Sequence, residues 1–174
     1  ASWSKTGRRL KDTRSGGHKN ALAEILFVML AAADGREIGA VRVEDEVSIR
    51  VGLRVLQPNL DVTYMISVRT QGVLAFRTRS GPLSSPPIGV HIASIRIPPH
   101  LLAETIYTVS VDAIVSTADG TRAPVSAFNA LSFQVFDTVS ARKDRLGGVV
   151  SPQVAWSFEE RPAETSELPA PKGR

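Results

Sequence analysis

The chain has 174 residues, a net charge of +4 and a pI near 9.8, and its 43% hydrophobic content is enough for one cored domain with polar tails. It holds no cysteine, which excludes a disulfide framework and any thiolate metal site and fits a reducing compartment. The basic charge is concentrated at one end: residues 1–19 carry six Lys/Arg against Asp12, a net of +5 within the total of +4, so the remainder carries −1. A cationic leader on a near-neutral domain excludes nucleic acid as the domain's main ligand.

In chain order, residues 1–19 are polar, end in Ser15-Gly16-Gly17 and read as a basic linker. The chain begins without Met or a signal-peptide hydrophobic region, which reads as a piece of something longer. Residues 21–32 are apolar on both faces; their Leu, Ala and Met suit a helix, but the turn at Asp34-Gly35 and the alternating run after it fit a strand covered on both sides better. They fall short of the roughly 18 unbroken apolar residues of a membrane span, because Glu24 interrupts them. Residues 46–55 alternate, with Val47, Ile49, Val51, Leu53 and Val55 inward, and Gln57-Pro58-Asn59 ends the run. Residues 62–69 alternate again, with Val62, Tyr64, Ile66 and Val68 inward. Gln71-Gly72 predicts a tight hairpin into residues 73–79, with Leu74 and Phe76 inward and Arg77 and Arg79 sharing the outward face with Arg69.

Residues 80–89 form a Pro/Ser/Gly loop, and 91–97 form a strand whose alternation slips at Ala93-Ser94, as a bulge would make it. The pair Pro98-Pro99 stops that strand, Leu101 and Leu102 plug the end of the core, and a strand from Ile106 points Tyr107, Val109, Val111 and Ala113 inward. An Asp119-Gly120 turn and a Pro-containing loop precede a strand at residues 130–136, residues 137–146 are charged and loop-like, and a last strand spans 148–158. From Glu159 the chain is rich in Glu, Pro and Ala and reads as a disordered tail. The organisation is therefore a basic linker (1–19), a domain (20–158) and a tail (159–174). About eight short strands with regular turn signals and no helix predict an all-β antiparallel sandwich, with a jelly roll as the alternative.

No motif for catalysis is present. There is no Gly-rich phosphate loop and no Gly-x-Ser-x-Gly elbow; His18, His91 and His100 are scattered, and Asp61 and Asp112 have no partner at acid–base spacing. The reading is a non-enzyme with neither cofactor nor metal. What remains is an outward sheet face on which Arg50, Arg54, Arg69, Arg77 and Arg79 stand among Ser67, Thr108, Ser110, Asp112, Ser132 and Gln134. Guanidinium forks, amides and hydroxyls suit a hydroxylated or anionic ligand. The candidate ligand-binding residues are Arg50, Ser67, Arg69, Arg77, Ser110, Asp112 and Gln134, with Trp156 as an aromatic able to stack on a sugar ring.

Four stretches carry a resemblance to a known family: Gln71-Gly-Val-Leu-Ala-Phe76; Ile97-Pro-Pro-His-Leu-Leu-Ala with Tyr107-Thr-Val-Ser-Val111; Phe128-Asn-Ala-Leu-Ser-Phe-Gln-Val135; and Gly147-Gly-Val-Val-Ser-Pro-Gln-Val-Ala-Trp156. Spanning residues 20–158 in order, they resemble the C-terminal carbohydrate-binding domain of Wzt-type ATPase subunits, which belong to bacterial ABC transporters exporting O-antigen polysaccharide. The sequence departs from that pattern where Glu104-Thr105-Ile106 replaces a glycine-bearing approach to the tyrosine, and where Phe128 replaces an aspartate. The resemblance implies an Ig-like sandwich at the cytoplasmic face of the inner membrane and a homodimer with exchanged C-terminal strands. It also implies recognition of an O-antigen-like polysaccharide, and a transporter partner reached through an ATPase domain joined at the basic linker. The alternative function is a structural or dimerisation sandwich with no glycan of its own. Sugar contacts vary among such domains, so the site residues rest on the outward face alone.

Overall fold

A computed structural model describes residues 19–137, which contain nine strands and no helix. They are β1 (Ala23–Ala32), β2 (Ala40–Arg42), β3 (Val47–Val55), β4 (Leu60–Thr70), β5 (Val73–Arg79), β6 (Leu83–Ser84), β7 (Gly89–Ile97), β8 (Ile106–Thr117) and β9 (Arg122–Phe136). They make two facing sheets, one in the order β1-β3-β7 and one in the order β2-β9-β8-β4-β5, with β6 also paired to β4. No helix among the described residues is long and apolar enough to cross a membrane. The leader before Lys19, the charged stretch after Asp137, the strand expected at 148–158, Trp156 and the tail lie outside the described residues.

Alternation decides which faces meet. Val47, Ile49, Val51, Leu53 and Val55 of β3 face Val62, Tyr64, Ile66 and Val68 of β4 and Tyr107, Val109, Val111 and Ala113 of β8 across one continuous buried core. Successive strands cross between the sheets at β1–β2, β2–β3, β3–β4, β6–β7 and β7–β8, and β2 runs parallel to the far end of β9 while the other pairs are antiparallel. This is the order of an immunoglobulin-type sandwich, and it removes the jelly roll. The start of β8 adds a second mark of that topology. Tyr107 is fully buried, lies against Phe133 with ring centroids 5.6 Å apart, and donates its hydroxyl to the carbonyl of Ala103 at 3.1 Å. A tyrosine bonding back to backbone a few residues upstream is the corner that ties the two sheets of such a fold together. Leu102 is buried and Leu101 packs beside it, so the apolar loop does plug the core.

Several sequence expectations need correction. β7 pairs with β3 in unbroken register from Val47↔Ile97 to Val55↔Gly89, so there is no bulge at Ala93-Ser94; the polarity slips there but the backbone does not. β9 begins at Arg122 rather than Ala130 and absorbs Pro124, which sits where β9 has no strand on its outer side among the described residues, so its missing N–H costs no ladder bond. The 80–89 loop contains the two-residue β6, and β2 was not foreseen. The hairpin at Gln71-Gly72 is as expected: both residues have positive φ, 49° and 80°, the signature of the tight turn that matches strand twist. Past it a bulge at Ala75 shifts the register, pairing Phe76 with Val68 but Leu74 with Arg69. Phe76 therefore faces inward as expected, whereas Leu74 faces outward and is 42% exposed.

Candidate functional site

The sandwich has two outer faces, and the polar residues expected on one of them divide between both. Arg50 and Arg54 belong to β3 and stand on the outer face of the three-stranded sheet. Arg69, Arg77, Arg79, Ser67, Thr108, Ser110, Asp112, Ser132 and Gln134 stand on the outer face of the larger sheet. Of the seven candidate residues, Arg50 is thus on the far side of the molecule from the other six. Outwardness is a property of one strand and does not say which sheet the strand joins.

The ladder arranges the larger face in cross-strand rows. One runs Arg77, Ser67, Ser110 and then the irregular part of β9. A second runs Arg79, Met65, Asp112, Ser126, and a third Leu74, Arg69, Thr108, Ser132. Gln134 lies one step beyond, opposite Ile106, at the margin of the face. Within the central row Ser67 and Ser110 are 3% and 7% exposed although they point away from the core. Two neighbours cover them. Arg77 crosses from β5 and donates its Nε to the Ser67 hydroxyl at 2.9 Å. The backbone N–H of Asn129 donates to the Ser110 hydroxyl at 3.0 Å.

That second bond belongs to a bulge. β8 and β9 pair Val109 with Leu131 and Val111 with Ala127, so residues 128–130 of β9 stand opposite Ser110 alone. Asn129 takes φ 48°, a conformation asparagine tolerates better than most residues. The bulge lifts Phe128 and Asn129 clear of the sheet; Phe128 is 59% exposed. The outcome is a row of two covered serines, with the Arg77 guanidinium bonded to one and the bulge that exposes Phe128 and Asn129 bonded to the other. Asp112, beside this row, is engaged by Ser126, whose hydroxyl donates to it at 2.6 Å. Phe128 and Asn129 are absent from the sequence-based candidates. Phe128 stood out there as a departure from a familiar pattern, and that departure was the available signal.

The face of the smaller sheet is different in kind. Phe27 of β1 lies over Gly52 of β3 so closely that a Cβ at position 52 would sit 2.3 Å from the ring. Ile92 flanks the same row on β7 and is 52% exposed, with Val90 and Ile88 beside it at 54% and 62%. Arg54 there is paired with Glu24 at 3.1 Å. His91 points to the inner side of β7, and its Nε2 bonds the carbonyl of Pro87 at 2.7 Å, a structural engagement. Among the described residues no group of His, Asp or Glu is placed to hold a metal ion.

Two facing sheets of immunoglobulin-type order define the class as an all-β sandwich. The solved C-terminal domain of Wzt shares this fold, with a TM-score of 0.65 at 12% identity over 82% of this chain and 92% of that one. No family model and no curated protein matches the sequence. The expected resemblance therefore holds at the level of the fold.

Proposed function

We propose that this chain is a non-catalytic carbohydrate-binding module that recognises an O-antigen-type polysaccharide for an ABC transporter, working at the cytoplasmic face of the inner membrane. The observation that carries the reading is the central row of the larger sheet, Arg77–Ser67–Ser110, flanked by exposed Phe128 and Asn129. An aromatic ring stacks on the apolar face of a sugar, while a guanidinium held by buried Ser67 and the carboxamide of Asn129, whose backbone N–H is held by buried Ser110, bind its hydroxyls. The fold shared with the C-terminal domain of Wzt supports the transporter setting. An open sheet surface suits a long polymer better than an enclosed pocket does.

The binding residues in this reading are Ser67, Arg69, Arg77, Ser110, Phe128 and Asn129, with Asp112 and Gln134 at the margin and Arg50 outside. A glycan array of bacterial O-polysaccharides, probed with the full chain, tests it. Binding is expected, reduced by Phe128→Ala and by Asn129→Gly, which keeps the positive-φ backbone while removing the amide. Arg96→Gln, on the other outer face, leaves it unchanged. Absence of binding by folded protein would overturn the reading.

A second reading, an assembly domain, is favoured by β7. Its outer edge has no strand beside it among the described residues, and its inward His91, Ala93 and Ile95 are only half covered where the inward residues of β3 are fully buried. An unprotected nine-residue edge with Val90 and Ile92 exposed invites another strand. Residues 148–158, exchanged between two protomers, supply that strand in this proposal. Light scattering of the full chain beside a version ending at Gly147 tests it: a dimer that survives the truncation would sink the exchange.

A further inference from the structure

The larger face offers donors with little to accept them. Ser67 accepts from Arg77 Nε and Ser110 accepts from the Asn129 N–H, so each serine oxygen is used as an acceptor and each hydroxyl proton has no acceptor among the described residues. The Arg77 guanidinium retains its two Nη groups, and its carrier strand leaves it exposed. Arg69 is on the adjacent strand and Arg79 two residues along, and none of the three pairs with a carboxylate among the described residues. The nearby acid is Asp112, which already accepts from Ser126 and is separated from Arg79 by Met65. Asp61 and Arg122 lie at the far end of the same face, opposite Ser116 on either side.

From this arrangement we infer that the sugar bound at the Arg77–Ser67–Ser110 row carries an oxyanion, a carboxylate or a phosphate, received by the Arg77 fork while Phe128 stacks on the ring. A neutral glycan needs donors and acceptors in similar measure, because every hydroxyl is both. Three arginines without a carboxylate partner, one of them exposed with both Nη groups unused, match an acceptor-only group instead. Ser67 is a positioning residue: its bond to Nε turns the paired Nη edge of the fork toward solvent. The inference rests on the glycan reading above and specifies its ligand.

The test titrates the full chain, labelled for backbone amide NMR, with sodium glucuronate, glucose 6-phosphate, glucose and inorganic phosphate. The expected result is that the two acidic sugars shift the amides of Ser67, Arg77, Ser110 and Asn129, glucose does so far more weakly, and added salt weakens the response. Which acidic sugar binds better separates carboxylate from phosphate. Arg77→Gln weakens binding about tenfold or more, from the loss of a charge-assisted bond. Arg77→Lys falls between, since it keeps charge but loses the fork. Ser67→Ala weakens the acidic sugars by a larger factor than it weakens glucose. Equal shifts by glucose and glucuronate would overturn the charge inference and leave the glycan reading standing. Inorganic phosphate binding as tightly as glucose 6-phosphate would overturn both at this face. No response to any acidic probe, with the glycan array positive, would overturn the charge inference only.

Discussion

The two outer faces of the sandwich have the same strand geometry, and both carry arginines, but their central rows are held in different ways. On the larger sheet, the central outward row is held by side-chain hydrogen bonds, Arg77 to Ser67 and Asn129 N–H to Ser110, and beside it a bulge exposes Phe128. On the smaller sheet, the outward row is held by contact, with Phe27 laid on Gly52 and Ile92 at its side. On the larger sheet the covered serines leave the exposed Arg77 guanidinium with its Nη donors free for a polar ligand. Apolar rows leave only area, which another protein surface or strand can cover. In the reading proposed above, ligand recognition belongs to the polar row, and the apolar row is area that another surface would cover.

The largest effect expected on stability tests the apolar face. Gly52→Val places methyls where the Phe27 ring lies, and overpacking of this kind costs about 1–3 kcal/mol, since a Cβ alone would stand 2.3 Å from the ring. Urea denaturation measures it. A loss under half a kcal/mol would mean that Phe27 swings away freely and that the apolar row is not a fixed feature. The polar face should respond less. Ser110→Ala leaves the Asn129 N–H without its acceptor and costs roughly 1 kcal/mol, read by the same denaturation. It should also release the bulge, so the Phe128 and Asn129 amides exchange faster with solvent. If stability falls but exchange there is unchanged, the bulge is held by something other than Ser110.

A smaller effect still is expected at a tyrosine under the polar face. Tyr64 is buried, and its hydroxyl has no partner among the described residues, while Tyr107 gives its hydroxyl to Ala103. Tyr64→Phe should leave stability unchanged or raise it by less than about 1 kcal/mol, whereas Tyr107→Phe should lower it by about that much. A loss at Tyr64→Phe equal to that at Tyr107→Phe would show that a residue outside 19–137 satisfies the hydroxyl.

Much of this architecture was legible in the sequence because alternation is a local code. β3, β4 and β8 each read correctly, residue by residue, since their inward sets are unbroken apolar series. The corner from Ile97 to Tyr107 was legible because prolines, two leucines and a tyrosine have few other uses together. The failures occurred where geometry departs from local pattern. The bulge at Ala75 turned Leu74 outward, and the bulge at 128–130 raised Phe128 and Asn129, and a bulge leaves no obligatory mark in composition. At Ala93-Ser94 the error ran the other way, because β7 lies at an edge where inward positions are half covered and tolerate polarity. Arg50 was grouped with Arg69 and Arg77 since sheet membership depends on long-range pairing that no window of sequence contains. The candidate site was therefore legible as a list of residue types and only partly as a place.

The smallest effect concerns the turn that sets the register of the polar face. Asp119, between β8 and β9, accepts from the Thr117 hydroxyl and from the Thr121 N–H, and these bonds hold its carboxyl below the ordinary aspartate value. A carboxyl depressed in the folded state favours folding above its unfolded pKa of about 3.9, and that contribution is lost as pH falls through the lower, folded value. Stability of the wild type should therefore decline slightly more between pH 5 and acid conditions than that of Asp119→Asn, which has no charge to lose. The group is fully exposed, so solvent screening keeps the difference small, and a carboxyl-detected NMR titration is the sensitive measurement. A midpoint at or above the ordinary aspartate value would show that the turn is not held by its threonines. The ladder pairing Ser116 with Arg122 would then be fixed by the sheet alone, and the polar face would owe its register to β4 rather than to the hairpin that closes it.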